Sequence, residues 1–241
     1  MGLPFFYTET IYPESSSVNL NEETSRHIIQ VLRMKCGQQL QLTDGKGNLF
    51  TAEITDNNRK NCKVGIVQTS NLQPPIHNIT IAISLIKNSS RFEWFLEKAT
   101  EIGVTTICPL ICARTEKPHF RYERMKNILV SAMLQSRQCR LPILREPVVF
   151  DELWQGILIK TLPNYDQKFI AHCIDKDKVE LADMINGDLA SKIILIGPEG
   201  DFTKEELELA IRFHFIPVAL GKNRLRTETA GVVAASLLCI T

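Results

Sequence analysis

The sequence predicts an α/β protein in which a small β-rich domain precedes a larger domain built on a parallel sheet with helices on both faces. Three observations predict it. Residues 193–196 (Ile-Ile-Leu-Ile) and the segment Ile79–Ile86 are short, almost continuous apolar runs, as strands covered on both faces require. Each run leads through a turn into a helical pattern, the order of a βα unit. Upstream of residue 74, segments instead alternate apolar and polar around strong turn signals, the mark of hairpins.

Bulk properties set limits. A chain of 241 residues holds two modest domains or one large one. No apolar stretch reaches membrane-spanning length. The start, MGLPFFYTE, lacks a basic segment followed by an apolar core, so no secretory signal is expected, and Met-Gly stands without other lipidation cues. A net charge of +1 excludes a chain that is basic throughout but leaves room for a local phosphate-binding patch. The seven cysteines are odd in number and form no C-x-x-C pair, so reduced thiols, a cytoplasmic location and no metal site are expected.

The first domain, residues 1–73, opens with a helix over Asn21–Leu32, capped by Asn21 or Thr24 and ended by Gly37. Strands follow at Gln39–Asp44 and Asn48–Ile54, joined by Asp44-Gly45-Lys46-Gly47, then at Asn61–Gln68. A small barrel of this kind suits RNA, with Arg33 and Lys35 as candidate phosphate contacts or as plain solvated charges. His27, alone on its helix, is read as packing or surface. Pro74-Pro75 after a polar run marks the boundary, and residues 74–241 form the second domain.

That domain starts with the strand Ile79–Ile86, a helix from Arg91 to Ile102 closed by Gly103, and a strand at Thr105–Leu110. Lys87 sits at a strand's carboxyl end, and Arg91 and Lys98 can face RNA. Glu97 and Glu101 lie one turn apart and read better as ion-pair partners of Lys98 or Arg114 than as catalysts. A loop carries Arg114, Lys117 and His119. The helix Tyr122–Arg137 presents Met125, Ile128, Leu129, Ala132 and Met133 as a core stripe. Gln135, Ser136 and Arg137 either line a substrate pocket or simply end that helix. A short helix at Phe150–Trp154, a strand at Lys168–Cys173 and a polar helix at Val179–Met184 complete the middle.

The last fifty residues carry the chemistry. IIL-IGPEGDF and VALGKNRLRTETAG each read as a strand, a Gly-containing loop and a helix. Thr203 and Glu206 have capping-box spacing for a helix over Lys204–Phe213; Ile216–Leu220 is the next strand; Thr227 or Thr229 caps the final helix. Taken as neighbours, the two strands would end at one pocket, where ligands of open α/β sheets bind. Gly197, Gly200 and Gly221 let backbone approach a ligand; Ile196, Leu220 and Leu225 supply apolar walls; Arg224, Arg226 and Glu228 bring charge to the rim.

IGPEGDF with LGKNRLRTETAG, supported by VLRMKCG and RFEWFLEKATEIGVTTICPL, strongly resembles the RsmE family. The usual family wording is GPEGGF, from which Asp201 departs; it either adds a carboxylate near the cofactor or, the preferred reading, sits where its charge favours the N-terminus of the following helix. The resemblance implies S-adenosylmethionine-dependent methylation of N3 of a uridine in small-subunit (16S) ribosomal RNA. It implies a PUA-like first domain and a SPOUT second domain with a deep trefoil knot. It also implies a homodimer acting on RNA within the small ribosomal subunit, with no metal and no membrane. Ile196, Gly197, Gly200, Leu220, Gly221, Leu225, Arg226 and Thr227 would bind the cofactor; Arg33, Lys35, Lys87, Arg91 and Arg224 would face RNA. Arg226 is the first candidate cation and Arg224 the second, and Glu228 or Glu199 the candidate base, each able instead to orient an arginine or a loop. Ala230, Gly231, Ala234 and Ala235 give the last helix a small-residue face, for the knot, the dimer or ordinary packing. The rival readings are a related RNA methyltransferase with another target atom, a non-catalytic RNA-binding protein and a nucleotide-dependent enzyme. No G-x-x-x-x-G-K-[ST] or G-x-G-x-x-G segment supports the last.

Overall fold

A computed structural model describes residues 2–73, 75, 77–116, 119–154, 165–173, 178–187 and 189–240. It divides into two units, Met1–Pro74 with Met133–Leu141, and Pro75–Ala132 with Pro142–Thr241. The first unit is thus not one continuous stretch. Local hydrogen bonds explain why Met133–Leu141 joins it. The Cys139 carbonyl accepts from Gly47 N–H at 2.8 Å and Thr43 Oγ1 at 3.2 Å, and Leu141 N–H donates to the Gly45 carbonyl at 2.8 Å. Arg140 donates to the carbonyls of Lys46 and Leu72.

The first unit is a five-stranded sheet in the order β1-β3-β4-β5-β2. Its strands are β1 (Phe5–Tyr7), β2 (Ser17–Asn19), β3 (Gln39–Thr43), β4 (Asn48–Asp56) and β5 (Lys63–Asn71). Strict alternation along β4 turns Phe50, Ala52 and Ile54 inward, onto a core with Leu40, Leu42 and Val64. Asp44 shapes the expected hairpin loop by accepting from Lys46 N–H and Asn48 N–H, while Gly45 and Gly47 adopt φ of 72° and 102°. Helix α1 (Glu22–Arg26) is capped by Asn21, whose side chain accepts from Thr24 N–H, and continues as a π turn over His27–Val31. Gly37 does not end it. Arg33, at φ 55°, makes the left-handed bend, and Gly37 turns into β3. His27 packs edge-on against Phe6, a structural role.

The second unit carries a parallel sheet in the order β11-β13-β10-β12-β6-β7-β8, with β9 also beside β7. These strands are β6 (Asn78–Ser84), β7 (Thr106–Ile111), β8 (Ile143–Leu144), β9 (Val148–Val149), β10 (Gln167–Ala171), β11 (Val179–Glu180), β12 (Ser191–Ile196) and β13 (Ile216–Ala219). The helices are α2 (Ser89–Ile102), α3 (Tyr122–Gln135), α4 (Leu181–Met184), α5 (Lys204–Arg212) and α6 (Thr227–Ile240), with a 3-10 turn at Phe150–Trp154. Gly103 closes α2 at φ 104°, and Thr203 with Glu206 forms the expected capping box on α5. Val179–Met184, expected as one helix, divides into β11 and α4, because Val179 pairs with Val218 and Glu180 with Ala219.

Helix α6 packs on α2 and β6 through its small residues. A Cβ on Gly231 would stand 2.6 Å from the Phe95 ring and 2.9 Å from Ile83, so only glycine permits this approach. Ala234 and Ala235 are fully buried. The small-residue face is therefore used within the protomer. Among the described residues no helix is long and apolar enough to cross a membrane, and no group of three or more His, Cys, Asp or Glu gathers as metal ligands.

Candidate active site

A cavity of about 610 Å³ opens at the carboxyl ends of β10, β12 and β13. The sequence placed β12 and β13 side by side. They are not: β10 lies between them, paired in parallel with both. The correction has a chemical consequence, because the end of β10 brings Ala171, His172 and Cys173 into the wall, with Lys178 beyond them. Nothing marked that segment in the sequence except its position after a strand.

Of the expected cofactor residues, Ile196, Gly197, Leu220, Gly221, Leu225, Arg226 and Thr227 all line the cavity. Gly197 is buried beneath Phe202, where a Cβ would meet the ring and the backbone nitrogen at 3.1 Å. Gly221 holds φ 107°, and its N–H donates to Glu180 Oε2 at 3.0 Å. Thr227 is buried, and its hydroxyl donates to the Gly197 carbonyl at 3.1 Å. That bond ties the start of α6 to the loop after β12, so the two glycine bends are held as one surface.

Gly200 does not belong to the lining. The Arg114 side chain lies over it, 3.2 Å from where a Cβ would be, and Arg114 Nη1 donates to the Gly200 carbonyl at 2.7 Å. The role of Gly200 is to make room for this clamp. Arg114 thereby serves the loop rather than Glu97 or Glu101, which both pair with Lys98 as expected. Glu206 strengthens the same junction. One of its oxygens accepts from Ala113 N–H and the other completes the capping box. Lys117, placed on this loop, lies outside the described residues.

Asp201 lines the cavity, and the cap of α5 is made by Thr203 instead. Asp201 stands at φ 63°, in the left-handed region that glycine occupies freely and aspartate tolerates. Its carboxylate does not serve the first turn of α5. Oδ2 accepts from Cys173 N–H at 2.8 Å and Oδ1 from Phe202 N–H at 2.9 Å, which latches the end of β10 to the loop after β12.

The charged candidates separate. Arg226, Arg224 and Glu199 line the cavity. Glu199 Oε1 accepts from Lys87 N–H at 3.2 Å, and its carbonyl lies 3.5 Å from Arg224 Nη2. Glu228 is not on the lining. It is buried, with 8% of its side chain exposed, and faces Arg91 at 3.7 Å. Helix phase is the reason: Thr227 and Ala230 turn to the cavity, and Glu228, on another face of α6, turns to α2. Lys87 pairs with Glu116 at 2.9 Å, a hydrogen bond that raises the Lys87 pKa. Arg33 and Lys35 are exposed in the first unit, and Gln135, Ser136 and Arg137 do not line the cavity.

The arrangement is apolar where Ile196, Leu220 and Leu225 offer faces for a flat ring. It is polar where bare backbone is exposed, and cationic at Arg224 and Arg226. That chemistry fits a nucleoside carrying a charged tail, such as S-adenosylmethionine.

Comparison with known proteins agrees. Residues 73–239 match the model of an RNA methyltransferase domain, and residues 20–67 that of an RNA methyltransferase PUA domain. The chain is 30% identical to the ribosomal RNA small subunit methyltransferase E of Buchnera aphidicola, over 98% of this chain and 92% of the relative. It is 27% identical to that of Bacillus subtilis, over 93% and 90%. Among solved structures, a probable rRNA-methyltransferase from Porphyromonas gingivalis superposes with a TM-score of 0.85 at 36% identity, covering 97% of this chain and 95% of the other. A ribosomal RNA small subunit methyltransferase E from Neisseria gonorrhoeae, bound to S-adenosyl methionine, gives 0.83 at 29%, covering 98% and 96%. With both of its units matched and relatives aligned along nearly their whole length, the chain belongs to the RNA methyltransferase family, in the group of the ribosomal RNA small subunit methyltransferase E proteins.

Proposed function

We propose that this chain transfers the methyl group of S-adenosylmethionine to N3 of a uridine in small-subunit (16S) ribosomal RNA. The observation that carries the reading is the cavity: two glycine bends locked together by Thr227, apolar faces beside them and arginines at one side. The names of the full-length relatives support the RNA, and the ligand named for the solved neighbour supports the cofactor.

Bound there, the cofactor supplies a methyl group on a positively charged sulfur that departs as a neutral thioether. The protein's part is to hold the acceptor nitrogen in line and manage one proton. N3 of uridine is an imide nitrogen, a poor nucleophile until its proton leaves. Arg226 stabilises the negative charge that then spreads over the imide. Glu199 is the expected base that lines the cavity, already fixed through one oxygen by Lys87 N–H. Because N3 lies on the Watson–Crick edge, the target uridine is unpaired or extruded when it reacts.

We further infer a homodimer, a trefoil passage of the C-terminal segment and a cytoplasmic enzyme that meets its RNA in the small ribosomal subunit. These follow from the resemblance and from the reaction. Mass mapping of ribosomal RNA nucleosides from cells with and without the protein tests the function. Loss of one 3-methyluridine, restored by the intact protein, is expected; unchanged RNA would overturn the substrate assignment.

A further inference from the structure

Helix α6 begins with two acidic or polar side chains of opposite duty. Thr227 closes the cofactor cavity, while Glu228 points away from it and is almost fully buried. A buried carboxylate is costly unless a cation or several donors meet it. The cation here is Arg91, on the first turn of α2, 43% exposed. The contact runs from Glu228 Oε1 to Arg91 Nε, 3.7 Å apart. Nε is the inner nitrogen of a guanidinium. At that distance the contact is an ion pair rather than a hydrogen bond; it draws the Nε edge of the guanidinium toward Glu228 and leaves the fork formed by Nη1 and Nη2 for a second anion.

The segment that carries Arg91 is anchored from a second direction. Lys87, one turn earlier, gives its N–H to the cavity carboxylate Glu199. The loop after β6 is thus joined to the loop after β12 and to the start of α6, at the same edge of the sheet where the cavity opens. Lys87, already paired with Glu116, and Arg91 flank the capped start of α2 there, where the helix dipole also favours an anion.

We propose that Glu228 is a positioning residue, and that it holds the Arg91 guanidinium with its outer fork presented to a backbone phosphate of the RNA near the acceptor nucleotide. Glu228 takes no proton in the reaction. The assignment rests on the RNA methyltransferase reading above and adds which residues seat the RNA.

The test combines Arg91→Ala, Glu228→Gln and the double variant, assayed on in vitro transcribed small-subunit RNA or on subunits lacking the modification. Each single variant is expected to raise KM for RNA about tenfold, within the range for loss of one charged contact, with kcat within about twofold of wild type. The double variant is expected to be no worse than Arg91→Ala, because both changes remove the same contact. Filter binding without cofactor is expected to show the slope of log affinity against log salt falling by about one in each single variant. S-adenosylhomocysteine affinity by calorimetry stays at the wild-type value. A loss of kcat with an altered pH–rate limb in Glu228→Gln would make Glu228 the base and overturn the proposal, as would additive effects in the double variant or an unchanged salt slope. If the wild-type protein methylates no RNA, the functional reading fails instead, and the salt slope still decides whether Glu228 and Arg91 act together on a polyanion.

Discussion

At the scale of single residues, the decisive distinctions concern where a charge points. Arg226 and Glu228 are two positions apart and were candidates for cation and base; Arg226, just before α6, lines the cavity, while Glu228, in its first turn, faces Arg91. Arg226→Ala is expected to keep cofactor affinity and lower kcat by about a hundredfold or more, the scale seen when one donor to a developing anion is removed. Calorimetry with S-adenosylhomocysteine and single-turnover methylation measure the two effects separately. The cysteines offer an independent check. Cys108 and Cys112 are buried, and desolvation pushes both thiols up to about 12. Cys36 and Cys173 are exposed. A neutral-pH alkylating agent should label Cys36 and Cys173 first, and S-adenosylhomocysteine should protect Cys173, which lines the cavity, but not Cys36. Labelling of Cys173 at equal rates with and without the ligand would place the ligand elsewhere.

Individual elements show what a sequence reveals and what it hides. The capping box on α5, the Gly103 stop of α2 and the two-faced strands β6 and β12 were legible, because each depends on residues within one turn or one strand. The insertion of β10 between β12 and β13 was not, because strand order is decided by which faces pack, not by neighbours in the chain. With it went His172, Cys173 and Lys178. The three-residue strands β1 and β2 were too short to show a period. Packing between elements yields two expectations. Gly231→Val on α6 drives side-chain atoms into the fully buried Phe95 and should cost about 1–3 kcal/mol by the usual scale of overpacking, read as a lower denaturation midpoint. Glu93 joins α2 to α3 through Arg124, with two hydrogen bonds of 2.7 and 2.9 Å that hold its carboxyl below the ordinary glutamate range. A carboxyl lowered in the folded state contributes stability above its unfolded pKa and loses it as pH falls through the folded value. Arg124→Ala should therefore destabilise at neutral pH and match wild type in strong acid, as urea midpoints across pH would record.

For the whole molecule, the family could be read from the sequence, since RNA methyltransferase and PUA signatures span most of it. The return of Met133–Leu141 to the first unit could not, because it rests on main-chain carbonyls of Cys139, Gly45 and Lys46 that carry no side-chain signature. Binding that favours the folded state should raise overall stability. At about a hundred times the dissociation constant, S-adenosylhomocysteine is expected to add about 2.7 kcal/mol, seen as a higher melting temperature. Thr227→Val should reduce that gain by leaving the Gly197 carbonyl without its donor.

The interleaving of β13 against β10 also sets a timetable for biosynthesis. Chains emerge from the ribosome amino-terminus first, so one wall of this cavity, from Val218 to Ala230, is made after the β10 and β12 ends that face it. Strands β1 to β5 can pair before that cavity has all its walls. A nascent copy therefore lacks a complete cavity until β13 and the first turn of α6 have been translated.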